Sequence, residues 1–384
     1  MNARAAELRA TGVDVFAFGV GEPDFEPPRG VLEAAKVAID SGASKYTAVS
    51  GIMPLRQAIC ARTARVRGYE PKPDQVIVTV GAKHALFNLA VALYETGDEV
   101  IIPAPYWVTY PEQVRMMGAT PVIVNTDEAR DWKLTPERLQ SAITAKTKAI
   151  MLCTPCNPTG IAYTPDEMRA LLAVVAKTDA WFIVDEIYAE LIYDGLRHAS
   201  PLSIAPELAD RVVTVDGLAK SYAMTGWRIG WAIAPAPLIK AMDLVQGQST
   251  TNATTVAQHA AVAALNGPQD EVAKMRVAFE RRRDVMITGL NGLAGITCRK
   301  PEGAFYAFAD VRGLYGLWHG ERKLANDADV ALFLLDRAHV ACVPGAGFGA
   351  PGYIRFSYAT SEERIGAGIA SMARAIESAQ LTAR

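Results

Sequence analysis

One lysine and one arginine stand among small and apolar residues in Gly217-Leu218-Ala219-Lys220-Ser221-Tyr222-Ala223-Met224-Thr225-Gly226-Trp227-Arg228-Ile229-Gly230. A lysine in an apolar setting tends toward the neutral amine, which attacks a carbonyl and forms a Schiff base. An arginine nearby offers a planar fork suited to a phosphate. The ligand that needs both is an aldehyde carrying a phosphate, pyridoxal 5'-phosphate. Two more charged side chains fit that chemistry. Asp185 follows the apolar run Trp181 to Val184, and a buried aspartate beside a pyridine nitrogen favours its protonated, electron-withdrawing form. Glu186 competes for the role, but strand alternation points it to the opposite face. Arg355 sits among apolar neighbours in Tyr353-Ile354-Arg355-Phe356-Ser357-Tyr358. A buried arginine needs an anion, either a bound one or an internal acidic partner.

Positioning these groups requires strands. Val212 to Val215 and Ile229 to Ala234 read as strands on either side of the lysine stretch. Gln75 to Val80, Glu99 to Pro103, Pro121 to Val124, Ala149 to Cys153 and Trp181 to Val184 are further strands, separated by helical patterns that include Val31 to Ile39, His84 to Tyr94 and Pro165 to Lys177. Strands alternating with helices predict an α/β fold, a mostly parallel sheet with helices on both faces. Ligands of such sheets sit at the carboxyl ends of the strands, where Asn157-Pro158-Thr159-Gly160 and Asp185-Glu186-Ile187-Tyr188 fall. The turn Gly81-Ala82-Lys83 into a helix presents free N–H groups and is the expected phosphate cup. Tyr106-Trp107 is expected to open a helix.

After Pro235 the pattern turns helical, with Leu238 to Val245, Thr255 to Leu265 and a charged helix from Glu271 to about Leu290. Arg281-Arg282-Arg283 within it reads as a solvated face. Ala304 to Ala309, Asp327 to Ala338, Val340 to Val343 and Tyr353 to Tyr358 mix strand and helix and predict a second, smaller α+β domain. Gly345, Gly347 and Gly349 are expected in turns. The expected division is a large domain over 31–270, a small C-terminal domain over 271–384, and a segment 1–30 that joins the small one.

The chain has 384 residues, half of them hydrophobic, and a net charge of −2. That length allows two domains, and the charge argues against nucleic acid or an anionic membrane as partner. No apolar run reaches the roughly 18 residues of a membrane helix, and Met1 to Phe16 lacks the apolar region of a secretory signal. Five cysteines, an odd number in a long chain, fit a reducing cytoplasm better than a disulfide scaffold. Cys153 and Cys156 form a C-x-x-C without a second pair for zinc, and read as two small residues at a strand end rather than a redox pair. No metal site is expected. Gly19 and Gly21 make only a weak dinucleotide signal, because no third glycine opens a helix and Pro23 intervenes.

The lysine stretch resembles the lysine signature of class I and II aminotransferases, and the resemblance runs from about Gly12 to Arg374. Gly21-Glu22-Pro23-Asp24-Phe25, Lys45-Tyr46, Pro105-Tyr106-Trp107, Asn157-Pro158-Thr159-Gly160 and Arg355 follow in the family order. The branch most resembled is that of the bacterial aspartate and aspartate/prephenate enzymes. The resemblance implies fold type I and a homodimer with a shared active site. It implies a catalytic set of Lys220, Asp185 and Tyr188. The cofactor would be held by Gly81, Ala82, Lys83, Trp107 stacked on its ring, Asn157 and Tyr188 on its phenolic oxygen, Asp185, Arg228, and Tyr46 reaching the phosphate of the partner subunit. The substrate would meet Gly21, Lys83, Trp107, Asn157 and Arg355, with Arg355 on the α-carboxylate and Lys83 on a side-chain carboxylate. Two departures stand out. Cys156 replaces an asparagine frequent in the family, and the arm that family members carry ahead of Asn2-Ala3-Arg4 is missing, which bears on acidic and prephenate-type substrates.

The implied reaction moves the amino group of an acidic L-amino acid to a 2-oxo acid by a ping-pong route. An aromatic or broad-range aminotransferase, or a carbon–sulfur β-lyase on the same fold, uses the same core residues and stays open. A cofactor-sensing regulator would need a DNA-binding module for which the chain has no spare length.

Overall fold

The computed structural model describes residues 2–382. Its strands are β1 (Phe16–Ala17), β2 (Val76–Thr79), β3 (Glu99–Ala104), β4 (Thr120–Asn125), β5 (Thr147–Cys153), β6 (Trp181–Asp185), β7 (Val212–Gly217), β8 (Gly230–Ile233), β9 (Thr297–Cys298), β10 (Tyr306–Asp310), β11 (Trp318–His319), β12 (Arg322–Lys323), β13 (Val340–Ala341), β14 (Val343–Pro344) and β15 (Tyr353–Ser357). Seven of them make the main sheet in the order β2-β8-β7-β6-β5-β3-β4. Its pairs are parallel except those of β8, which runs antiparallel to both β2 and β7. All residues of β2, β7 and β8 are buried. That is why these strands read as unbroken apolar runs: helices cover the sheet, so there is no solvent side to demand alternation.

The predicted strands and helices occur within a few residues of their expected limits. Several ends are explained by caps. The helix Pro165–Val175 starts where Thr164 and Glu167 exchange hydrogen bonds, with proline at its first position. Asn326 accepts from the Asp329 backbone and starts Asp327–Ala338.

A second sheet, β14-β15-β10-β9, is antiparallel. It packs with the helices Asp270–Asn291 and Glu362–Thr382 around a core that includes Phe279, Phe305, Phe333, Ile354 and Phe356. Phe18 belongs to that core, and β1 pairs in parallel with β13. Phe16 to Phe18 are therefore attached here rather than to the main sheet.

Three expectations are corrected. Val340 to Val343 is not one strand: β13 pairs with β1 and β14 with β15, with Cys342 between. Tyr106-Trp107 does not open a helix. The Tyr106 N–H bonds to the Phe348 carbonyl, and the helix begins at Thr109. The arginine run is not a solvated face. Arg283 is 0% exposed, its guanidinium paired with both oxygens of Asp194 at 2.7 and 3.0 Å and donating to the Pro301 carbonyl. Arg282 grips Asp24 through both oxygens, and only Arg281 faces outward. Consecutive helical residues point about 100° apart, so a charged triplet cannot share one face. The helices Met53–Arg67 and Glu362–Thr382 have no counterpart among the sequence expectations.

Candidate active site

Asp185 is the last residue of β6, Lys220 lies just past β7, Asn157 past β5, Trp107 past β3, and Gly81-Ala82 just past β2. Because β8 is antiparallel to β2 and β7, Arg228, just before β8, falls at the same edge. One cavity of about 680 Å³ opens there. Lys220, Asp185, Tyr188, Asn157, Trp107, Lys83, Arg228, Gly21 and Arg355 all line it. Tyr46 does not. It is 88% exposed.

Lys220 donates to the Gly21 carbonyl. Burial pushes its amine down to about 8, against the pull of Glu22, with the positive charges of Arg355 and Arg228 lowering it further. A group that is ordinarily a fixed cation is thus close to being a nucleophile at neutral pH.

Asp185 accepts from the Tyr110 hydroxyl at 2.7 Å and from the Ile187 N–H at 3.2 Å. Burial nevertheless raises it to about 6, with Asp216 and Glu186 adding repulsion against those two hydrogen bonds. Among the described residues it has no ion-pair partner, so a buried carboxylate faces the cavity without a cation. Glu186 points the other way, as alternation requires, and meets Arg67 and His198 at 3.5 and 2.9 Å. Burial would raise Glu186, but those two groups hold it down to about 2.

Arg355 is buried between Tyr306 and Phe348, its guanidinium carbon 4.3 and 5.1 Å from their rings. Nη1 donates to Asn157 Oδ1 at 2.8 Å and Nη2 to the Gly19 carbonyl at 3.0 Å, while Nε has no partner. Among the described residues no carboxylate pairs with it. The internal salt bridge that the sequence left open is not formed, and the charge remains free for a bound anion.

Gly81, at φ 82°, precedes the helix Ala82–Leu93. A Cβ there would lie 2.5 Å from Arg228 Nη2. The glycine is thus needed twice, for its left-handed backbone and for the close approach of the arginine. The helix start and Arg228 together form a cradle for a doubly charged anion. Lys83, on the first turn of the same helix, is exposed and holds its Nζ 4.8 Å from the Trp107 ring.

The structure adds residues that the sequence reading passed over. Tyr110 reaches Asp185 from the helix Thr109–Met116 and stands edge-on to Trp107. Tyr306 hydrogen-bonds Tyr188 hydroxyl to hydroxyl at 2.9 Å and forms one wall around Arg355. The only hint of Tyr110 was its position one helical turn after Trp107. Asn157, assigned to the cofactor, also anchors Arg355.

Three features therefore converge: a depressed lysine amine, an uncompensated carboxylate and an uncompensated guanidinium, with an anion cradle at one end. They fit a phosphorylated pyridine aldehyde and a carboxylate-bearing substrate. Comparison with known proteins agrees. Residues 13–371 match the family described as aminotransferase class I and II. The chain is 47% identical over 362 residues to the aspartate/prephenate aminotransferase of Cereibacter sphaeroides, covering 94% of this chain and 90% of that one. Its structure resembles that of the aspartate aminotransferase from Rhizobium meliloti with a TM-score of 0.95 at 42% identity, over 98% of this chain and 94% of that one. It also resembles the aspartate aminotransferase of Thermus thermophilus with maleate, with a TM-score of 0.91 at 42% identity, over 97% and 95% of the two chains. The chain belongs to the class I and II aminotransferases.

Proposed function

We propose that this protein is a pyridoxal 5'-phosphate-dependent aminotransferase that moves the amino group of aspartate or glutamate to a 2-oxo acid. The observation that carries the reading is the set of unpaired charges around Lys220. When bound, the cofactor supplies an electron sink that stabilises negative charge at the substrate α-carbon. Lys220 would hold it covalently and would take the substrate α-proton and return it as general base and then acid. Asp185 would pair with its ring nitrogen. Gly81, Ala82 and Arg228 would take its phosphate, Trp107 would cover its ring, and Tyr188 and Asn157 would bind its phenolic oxygen. Arg355 receives the substrate α-carboxylate through paired hydrogen bonds, with Gly21 over it. Among the described residues no helix is long and apolar enough to cross a membrane; the five free thiols support a cytoplasmic setting. The two largest cores support a division into 31–270 and 271–384 with 1–30 joined to the latter, and they interlock across it: Ile187, Tyr188, Leu191 and Tyr193 pack in the second core, and Phe308, Phe348 and Tyr353 in the first.

Acidic specificity rests on Lys83. With Arg355 committed to the α-carboxylate, a second carboxylate needs another cation, and Lys83 stands at the cavity rim at a helix start that also favours an anion. Relatives named for aspartate, one with maleate, agree with a dicarboxylate. Lys83→Ala is expected to lower kcat/KM for aspartate about ten- to a hundredfold, the loss of a charge-assisted hydrogen bond of roughly 1.5–3 kcal/mol. Alanine and aromatic donors should change much less. A donor panel against 2-oxoglutarate decides it: equal losses for all donors would move Lys83 to the phosphate or the fold. Release of pyruvate and ammonia from a cysteine conjugate without added 2-oxo acid would identify a β-lyase instead.

Tyr46 supports a homodimer. An aromatic ring so exposed has no function within its own subunit, but one that reaches a partner's phosphate would have one. Light scattering should show a dimer, and Tyr46→Phe should weaken cofactor retention. A fully active monomer would contradict both.

A further inference from the structure

The helix Met53–Arg67 contributes nothing to the wall of the active-site cavity, yet two of its arginines grip the chain beside the site residues. Arg62 Nη1 donates to Asp216 Oδ2 at 3.0 Å, and Nη2 donates to Glu190 Oε1 at 2.9 Å. Its guanidinium carbon lies 5.6 Å from the centre of the Trp231 ring. Each of these partners adjoins a residue of the site. Asp216 accepts the Gly217 N–H through Oδ1 at 2.7 Å, at the start of the turn that carries Lys220. Glu190 follows Tyr188 in a turn closed by the Leu191 N–H on the Tyr188 carbonyl at 2.8 Å. Trp231 follows Arg228 in β8. Arg67 repeats part of the grip, donating to Glu190 at 3.0 Å and reaching Asp216 and Glu186 at 3.5 Å.

The side chains of Arg62, Arg67, Glu186 and Asp216 are each no more than 5% exposed. Burying charges in this way is a poor source of stability, because desolvation offsets the attraction. What a planar, two-pronged guanidinium supplies is fixed geometry. The backbone beside Asp216 passes that geometry on. A Cβ at Gly217 would lie 2.9 Å from the Ile229 carbonyl oxygen, and the Leu218 N–H bonds the same oxygen at 3.2 Å. The chains that carry Lys220 and Arg228 are thus pressed together where Asp216 is held.

We propose that Arg62 is a positioning residue of the active site, a clamp that fixes the turns carrying Lys220 and Tyr188 from outside the cavity. Its consequence for catalysis rests on the aminotransferase reading; its hold on Lys220 does not. A displacement of about 1 Å in a reacting group can cost roughly a hundredfold in rate. Lysine at position 62 keeps the charge but not the fork, so it cannot hold Asp216 and Glu190 together. Arg67 still meets both carboxylates, so that variant is not left with an unpaired buried acid.

The test compares Arg62→Lys with Glu186→Gln, which removes a partner of Arg67 and leaves the Arg62 contacts in place. In purified holoenzyme, with kcat counted per bound cofactor, Arg62→Lys should lower kcat at least about tenfold and change KM for aspartate less than about threefold, because Arg355 still holds the substrate. Glu186→Gln, which is also destabilised, should keep kcat within about threefold. The second readout needs no turnover. In cofactor-free Arg62→Lys, the pH midpoint for reaction of Lys220 with pyridoxal phosphate should move up from about 8 toward that of an ordinary lysine, as the loosened turn admits water. In Glu186→Gln it should stay. If Arg62→Lys does not fold, Asp216→Asn takes its place, since it keeps an acceptor for the Gly217 N–H but turns an amide donor toward Arg62. A kcat within about threefold of the unsubstituted enzyme, an unmoved midpoint, or an equal fall in Glu186→Gln overturns the proposal. Absence of transamination before any substitution overturns the functional reading instead, while the midpoint still reports on the clamp.

Discussion

Replacing Lys220 by alanine is expected to lower transamination by roughly 10⁴-fold or more, because the side chain supplies both the covalent anchor and the proton transfer. The structure explains why this lysine is suited to both. Burial lowers its amine to about 8, and Arg355 and Arg228 contribute in the same direction. The neutral amine is the nucleophile and grows with pH up to the pKa. At pH 7 about a tenth of Lys220 is neutral, against a few parts in ten thousand for an ordinary lysine. In cofactor-free protein, the rate of reaction with pyridoxal phosphate should therefore rise about tenfold per pH unit below 8 and level off above it. A lysine with the ordinary pKa would keep rising toward pH 10. Borohydride reduction of the yellow holoenzyme, followed by mass mapping, should place the label on Lys220. Label on another lysine, or none, would remove the basis of the functional assignment.

Asp185→Asn should cost about 10²–10³-fold in kcat, with little change in how the substrate carboxylate binds. The carboxylate is buried, and burial drives it up to about 6 although Tyr110 and Ile187 hydrogen-bond it. A cationic ring nitrogen in the cavity would resolve this conflict, keeping the carboxylate ionised and itself being held protonated. Asparagine keeps the shape but removes the charge. Glu186→Gln is the informative control, being the neighbouring acid on the opposite face, paired with Arg67 and His198. It should change kcat by less than about threefold while lowering stability by about 1–3 kcal/mol, because a buried contact of Arg67 and of His198 is lost while Arg67 keeps Glu190 and Asp216. Steady-state kinetics and urea titration of the two variants separate the roles. Full activity in Asp185→Asn with loss in Glu186→Gln would reverse the assignment.

The main sheet and most of the candidate site were legible in the sequence for one physical reason. A strand buried on both faces leaves an uninterrupted apolar run, and the residue that follows its carboxyl end reaches the ligand edge. Lys220, Asp185, Asn157 and Gly81 are set by that local rule. The alternation that sends Asp185 and Glu186 to opposite faces is equally local. Tertiary structure alone decided what meets across the chain. Tyr110 finds Asp185 from 75 residues away, Asn157 finds Arg355 from 198, and the Gly19 carbonyl finds it from 336. No periodicity encodes such pairings, because they depend on how strands are ordered in a sheet and how a second core docks beside it. The same holds for Arg283, whose burial against Asp194 reversed a reading made from charge alone. It also holds for Val340 to Val343, divided between two sheets. Composition and spacing identify which groups can do chemistry. Whether a charge is left without a partner, as at Asp185 and Arg355, is a property of three-dimensional neighbours, and that lack of a partner makes those groups available to a ligand.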